Sequence, residues 1–309
     1  MVIAVIGIGG VGGYFGGKLT QILNTSSENK HEIYFVARGE HGRIIKERGL
    51  ILKANQEGEL VCKPTQVLDD IAKLPMLDAC FLCVKQYDLH DCLVSLKTKI
   101  KSDTQIIPLL NGVDIYERVR EVISNGYVFP ACVYVGTHIE SPGTVKQSGG
   151  SCEIVFGKDK KHGGEKPEEL CTIMDQVGIR YRWSDSYLEE IWNKYIFIAA
   201  YGLVTAKENK TLGEIYECDE HRDTVKRIME EIIKLGQAEG ILFSDEILQV
   251  SLDKAKSFPY ETKTSFQRDY ETSGKKDERE LFGDTLFKLG KKHDISISEI
   301  EDTYGMLLN

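Results

Sequence analysis

The chain opens on Met1-Val2-Ile3-Ala4-Val5-Ile6-Gly7-Ile8-Gly9-Gly10-Val11-Gly12-Gly13, an apolar run that breaks onto a glycine turn. Val2, Ile3, Val5 and Ile6 predict a buried strand, and Tyr14, Phe15, Lys18, Leu19, Ile22 and Leu23 carry helical spacing directly after it. In a strand, turn and helix of this kind the glycines have separate tasks. Gly7 allows the tight turn, Gly9 lets the backbone approach a ligand with no Cβ in the way, and Gly12 lets the helix pack closely on the strand. The helix start adds unpaired N–H groups and the positive end of its dipole, so the segment suits a pyrophosphate. The bland alternative is a merely glycine-rich turn.

The second strand of such a unit is His31-Glu32-Ile33-Tyr34-Phe35-Val36-Ala37, rich in β-branched and aromatic residues. A site selective for NAD carries Asp or Glu at this strand's end, to accept from the ribose 2′-OH. Here the end is Ala37-Arg38-Gly39, with no carboxylate before Glu40. A guanidinium pairs with a 2′-phosphate where a carboxylate would repel it, so the expected cofactor is NADPH with Arg38 on the phosphate. Arg38 as a solvated loop charge is the competing reading.

The 309 residues are enough for a full core and two domains. With 41% hydrophobic and 28% charged residues the composition is that of an ordinary globule, and a net charge of -9 speaks against a nucleic-acid partner. No apolar run reaches membrane-spanning length, and the N-terminus has no basic lead-in, so the expectation is a cytoplasmic protein without a membrane partner. Eight cysteines are then expected reduced. Cys80-x-x-Cys83 lies in an apolar stretch that reads as a buried strand, which favours packing thiols over a redox or zinc pair, and no metal is expected.

Strands alternate with helical stretches through the N-terminal half, the pattern of a doubly wound parallel sheet. Further strands are expected at Ala79 to Val84, Gln105 to Leu110 and Tyr127 to Val135. Ligands bind beyond the carboxyl ends of such strands, which makes Lys85 and Asn111-Gly112 candidates. His138 to Gly157 reads as a hairpin extending the sheet, and Lys158 to Lys166 as a surface loop. From about Ser184 periods of three and four dominate, giving domains at 1–183 and 184–309, the second helical. Gly236 and Gly290 are expected as helix interruptions or ends. Lys194 is the only cation in the run Tyr187 to Ala200. Burial would lower its pKa toward the range of proton transfer, although spacing alone reads it as a stem along the surface with its ammonium in water.

Gly7-x-Gly9-x-x-Gly12, Val36-Ala37-Arg38-Gly39, Val84-Lys85, Leu110-Asn111-Gly112, Trp192-x-Lys194 and Thr264-Ser265-Phe266-x-x-Asp269 occur in this order. The whole chain thereby resembles the ketopantoate reductases (2-dehydropantoate 2-reductases). The resemblance implies an α/β fold, with an N-terminal Rossmann-type doubly wound sheet followed by an all-helical C-terminal domain like that of 6-phosphogluconate dehydrogenase. It implies NADPH-dependent reduction of a 2-oxo acid, ketopantoate, on the route to coenzyme A. By position it makes Lys194 the catalytic lysine and Asn111 a residue of both substrate and cofactor binding. Lys85 becomes the lysine near the cofactor, Ser265 a holder of the substrate carboxylate, and Asp277 the acid that orients substrate and keeps Lys194 charged. By analogy the helical domain would also support a homodimer.

Two departures bear on substrate. The family's asparagines four and eight residues after the lysine are here Ile198 and Gly202, which makes the pocket more apolar. The acid is one methylene shorter than the family's glutamate, and Glu278 beside it is an alternative. The sequence therefore leaves open reduction of a different 2-oxo acid, and a non-catalytic NADPH-binding sensor.

Overall fold

A computed structural model describes residues 1–24, 31–55, 57–272 and 276–308. They form two compact units, Met1–Leu110 with Ile115–Tyr187, and Asn111–Asp114 with Leu188–Asn309.

In the first unit the strands are β1 (Val2–Ile6), β2 (Glu32–Val36), β3 (Leu50–Ala54), β4 (Gly58–Cys62), β5 (Gln66–Leu68), β6 (Leu77–Leu82), β7 (Ile100–Pro108), β8 (Tyr127–Val128), β9 (Ala131–Ser141), β10 (Thr144–Phe156) and β11 (Arg180–Trp183). Its helices are α1 (Gly10–Leu19), α2 (Gly39–Arg48), α3 (Leu89–Leu96), α4 (Ile115–Val122) and α5 (Glu168–Gln176). Six strands make an all-parallel sheet in the order β5-β2-β1-β6-β7-β8. The chain winds one way from β1 and then the other, the doubly wound Rossmann order, and the reversal opens a crevice beyond β1 and β6. Ile3 to Ile6 of β1 and Ala79 to Leu82 of β6 are apolar and buried on both faces, as the central strands of a parallel sheet are.

The expected strand Tyr127 to Val135 is two strands. Val128 pairs with Ile106 in the parallel sheet, and Phe129 N–H still donates to Ile106. Pro130 has no N–H to continue the ladder, and the chain leaves to form β9 in a second sheet. The expected hairpin does turn at Pro142-Gly143, but it belongs to that second sheet with β3, β4 and β11 and does not extend the first. The loop Lys158 to Lys166 is also more than surface. Asp159 is only 1% exposed. It accepts from Tyr116 Oη at 2.6 Å and from the N–H groups of Val128, Lys161 and His162, and it pairs with Arg120. Burial alone would raise its pKa, yet these donors hold it below the ordinary carboxylate range.

α1 lies against both sheets. A Cβ on Gly16 would touch Val5 and Phe35 of the first sheet, and one on Gly13 would sit 2.6 Å from Val145 of the second.

The second unit is helical: α6 (Tyr187–Glu208), α7 (Leu212–Glu217), α8 (Asp219–Ala238), α9 (Ile247–Asp253), α10 (Ser265–Tyr270), α11 (Arg279–Phe282), α12 (Asp284–His293) and α13 (Ser298–Met306). α6 is its core, with Tyr195, Ile196, Ala199, Ala200, Leu203 and Val204 buried. The Tyr195 ring stacks on Phe282, and its hydroxyl donates to the Leu281 carbonyl. Gly236 and Gly290 do not end helices. α8 runs on to Ala238 and α12 to His293. Gly236 is there for contact, since a Cβ would lie 2.5 Å from the Phe243 ring.

The packing of α1 has an opposite counterpart on α6. Gly13→Ala drives a methyl into Val145 and is expected to cost about 1–3 kcal/mol. On Gly202 a Cβ would meet Phe266 at 3.6 Å, an ordinary contact, so Gly202→Ala is expected to add about 0.5–1 kcal/mol through helix propensity. Denaturant unfolding reads both signs, and a Gly13→Ala protein as stable as its parent would contradict the packing.

Candidate active site

The crevice of the parallel sheet is an open cleft of about 430 Å³ whose lining includes Gly7, Gly9, Arg38, His41, Lys85 and Asp88. Gly7 has φ +90°, which a side chain would strain, and a Cβ there would meet Cys83 and Val84 backbone at 2.8 Å. A Cβ on Gly12 would fall 2.0 Å from the Gly7 carbonyl oxygen. Gly9 differs from both, because a Cβ there would meet nothing within 4 Å. Its missing side chain keeps open a space at the start of α1, where the first-turn N–H groups have no acceptor within the helix. These residues fit a dinucleotide's pyrophosphate.

Arg38 precedes α2 in extended conformation and donates from Nη2 to Asp88 Oδ2 at 2.9 Å. Lys85 follows β6 and precedes the short 3-10 turn Gln86–Asp88. Nothing in the sequence pattern singles out His41. Its Nδ1 accepts from the Gly143 N–H at 2.9 Å, which leaves the ring hydrogen on Nε2, a buried atom without a hydrogen-bond partner. Burial lowers its pKa, with the Ile8 carbonyl acting the other way. Only its place at the head of α2, three residues after Arg38, could have marked it. Cys83 and Cys92 also line the cleft, and burial pushes Cys92 up to about 12, so these thiols stay protonated. All eight cysteines are free, and among the described residues no cluster of His, Cys, Asp and Glu could hold a metal ion.

A second group lies in the helical unit. Lys194 is half-buried on α6 and donates to Asn111 Oδ1 at 2.7 Å, joining residues 83 apart in sequence. Asn111 belongs to Asn111–Asp114, which packs with this unit although it follows β7 in the chain. Thr285 of α12 donates to Asp114 Oδ2 at 3.2 Å and pins the segment's far end. With its oxygen on Lys194, Asn111 keeps its NH₂ for another acceptor.

Lys194, Ile198, Gly202 and Thr205 share one face of α6. Thr205 bonds Thr264, the N-cap of α10, at 2.9 Å, and Ser265 follows it exposed. Ser265 thus lies between Thr264, bonded to Thr205, and Phe266, which packs at Gly202 about two helical turns from Lys194 along α6. Asp277 is committed elsewhere: Arg279 donates to both its oxygens, Nε to Oδ1 at 2.8 Å and Nη2 to Oδ2 at 2.6 Å. Burial tends to raise its pKa, but Arg279 holds it below the ordinary range. Glu278 beside it is buried.

Residues 3–161 match the family model described as "Ketopantoate reductase PanE/ApbA", and residues 186–308 match its C-terminal counterpart. The chain belongs to this family. It is therefore an oxidoreductase of the PanE/ApbA kind, with the fold of NAD(P)H-binding enzymes that reduce 2-oxo acids. Among its relatives, the uncharacterized oxidoreductase YkpB of Bacillus subtilis is 26% identical over 98% of this chain and 96% of that protein. The 2-dehydropantoate 2-reductase of Aquifex aeolicus is 23% identical over 94% and 91%. The same fold occurs in a PanE/ApbA family ketopantoate reductase from Ralstonia eutropha, with TM-score 0.88 at 24% identity over 100% and 97% of the two chains. It also occurs in D-mandelate dehydrogenase bound to NADH and anilino(oxo)acetate, with TM-score 0.84 at 20% identity over 100% and 97%.

Gly9 separates folding from binding. Gly9→Ala is expected to unfold within about 0.5 kcal/mol of the parent and to lose nicotinamide dinucleotide affinity by about tenfold or more, one to two kcal/mol. Fluorescence titration alongside a thermal melt checks both, and unimpaired binding would remove the glycine loop from the site.

Proposed function

We propose that the protein reduces ketopantoate (2-dehydropantoate) to pantoate with NADPH, supplying pantothenate and coenzyme A synthesis. The observation that carries this reading is the hydrogen bond between Lys194 and Asn111. When bound, the nicotinamide would supply the hydride that adds to C2 of the ketone. Lys194 donates a hydrogen bond to the carbonyl oxygen, stabilises the alkoxide as it forms and gives it the proton that completes the alcohol. Asn111 takes one of the three ammonium hydrogens and so fixes where the other two point. By the family pattern Ser265 would hold the substrate carboxylate, and Lys85 and Arg38 would hold the nucleotide, Arg38 at the 2′-phosphate. Asp277 was the acid expected from the family pattern. Because both its oxygens are taken by Arg279, we assign the acid's part to buried Glu278 and give Asp277 the task of setting the turn that presents it.

A second reading, reduction of another 2-oxo acid, is favoured by Ile198 and Gly202 on the Lys194 face of α6. Neither side chain can pair with the 4-hydroxyl of ketopantoate. The fold it shares with D-mandelate dehydrogenase is compatible with that reading. Steady-state rates with ketopantoate and with 3,3-dimethyl-2-oxobutanoate, which lacks only that hydroxyl, separate the two. Ketopantoate is expected to have the higher kcat/KM by about tenfold or more, through a contact of its 4-hydroxyl with a polar group other than residues 198 and 202, for which Glu278 is the candidate. An equal or better rate without the hydroxyl would reassign the substrate. Lys194→Ala is expected to lose turnover by a factor of about 100 or more with nucleotide affinity little changed. A variant as active as the parent would remove Lys194 from the chemistry, and dinucleotide binding without any ketone-dependent oxidation in the parent would favour a sensor.

A further inference from the structure

Arg38 and Asp88 reach toward each other from the two sides of the nucleotide cleft, Arg38 after β2 and Asp88 after β6. Their side chains are 71% and 41% exposed, so the pair is wet and exchangeable, and it uses a single guanidinium nitrogen. The remaining N–H groups of Arg38 stay available to a phosphate. The other acids of the cleft are differently engaged. Lys73 pairs with Asp69 at 2.6 Å, Asp70 accepts from the Ala72 N–H at 2.9 Å, and Asp91 lies in the first turn of α3. Lys85 is the further cation of the lining.

A carboxylate bound to the same guanidinium as a 2′-phosphate would stand roughly 6 Å from it. At that distance a single charge facing a dianion in water opposes binding by about tenfold before salt screening and somewhat less after it. An unphosphorylated ribose carries no charge and is untouched by this term. We propose that Asp88 is a specificity-determining residue of the nucleotide site, which aims Arg38 through one hydrogen bond while its charge narrows the preference for NADPH over NADH. The proposal rests on the reading that Arg38 meets the 2′-phosphate.

Asp88→Asn keeps an oxygen for Arg38 Nη2 and removes the charge, whereas Asp88→Glu keeps the charge. Dissociation constants for NADPH and NADH are measured on the full chain by nicotinamide fluorescence, with Arg38→Ala alongside and thermal melts on all variants. Asp88→Asn is expected to tighten NADPH by about threefold to tenfold and to move NADH by less than twofold, a gain that shrinks as salt rises. Asp88→Glu is expected to keep the parental ratio. If Arg38→Ala lowers the NADPH to NADH preference while Asp88→Asn leaves it unchanged or lowers it, the proposal is overturned and the reading of Arg38 stands. If Arg38→Ala leaves the preference unchanged, the underlying reading fails and the proposal with it.

Discussion

The first unit depends on how closely α1 can approach two sheets at once. Five of its ten residues are glycine, which by helix propensity alone costs about 1 kcal/mol each against alanine. The cost is offset by contact: side chains of Val5 and Phe35 press on one side of the helix, and Val145, Leu50 and Leu52 on the other. Phe15 and Leu19 are fully buried in the core this creates. At the far end Lys18 donates to Glu57 and to the Gly178 carbonyl, placing a cation at the helix C-terminus. The start of the helix is thereby fixed on the end of β1, and the anion-binding geometry of the loop follows from the packing of the core.

The second unit has its own fixed point in the Lys194 to Asn111 hydrogen bond. An ammonium with one hydrogen held in place is a directional donor, whereas a free one at the end of a four-carbon stem is not. The partner comes from the four-residue segment Asn111–Asp114, whose far end Thr285 holds through Asp114. Charge near the turn before α11 is managed separately, with Arg279 neutralising Asp277 and also donating to the Leu307 carbonyl.

Much of this was legible in the residues. β1, β2, α1 and the long helix around Lys194 follow from apolar runs and periodicity, because each is buried in the way its pattern demands. The second sheet was not legible. Its strand β4 buries only Cys62 and carries no long apolar run, β3 alternates buried and half-buried residues, and the departure of β9 from the first sheet turns on a single proline. Asp159 looked like a loop charge because its donors come from Tyr116, Arg120 and Val128, far off in sequence. Gly236 lies inside a helix for a related reason, since the aromatic ring that needs its missing side chain is folded back from Phe243. Of the candidate residues, Gly7, Gly9, Arg38 and Lys85 could be placed at the strand ends that form the cleft, while His41 and Asp88 join its lining only when segments after different strands converge, and the Lys194 to Asn111 contact joins residues far apart in sequence. The pairing of Asp277 with Arg279, two residues on, engages both carboxylate oxygens and is not visible in the spacing of family positions.

The central claim is that a hydride and a proton are added to one ketone in this chain. Incubation with ketopantoate and NADPH carrying deuterium at both C4 positions, followed by mass spectrometry of the product, tests it directly. The account predicts pantoate with one deuterium, located at C2. Product without deuterium, or bound dinucleotide that is never oxidised in the presence of any 2-oxo acid, would contradict it.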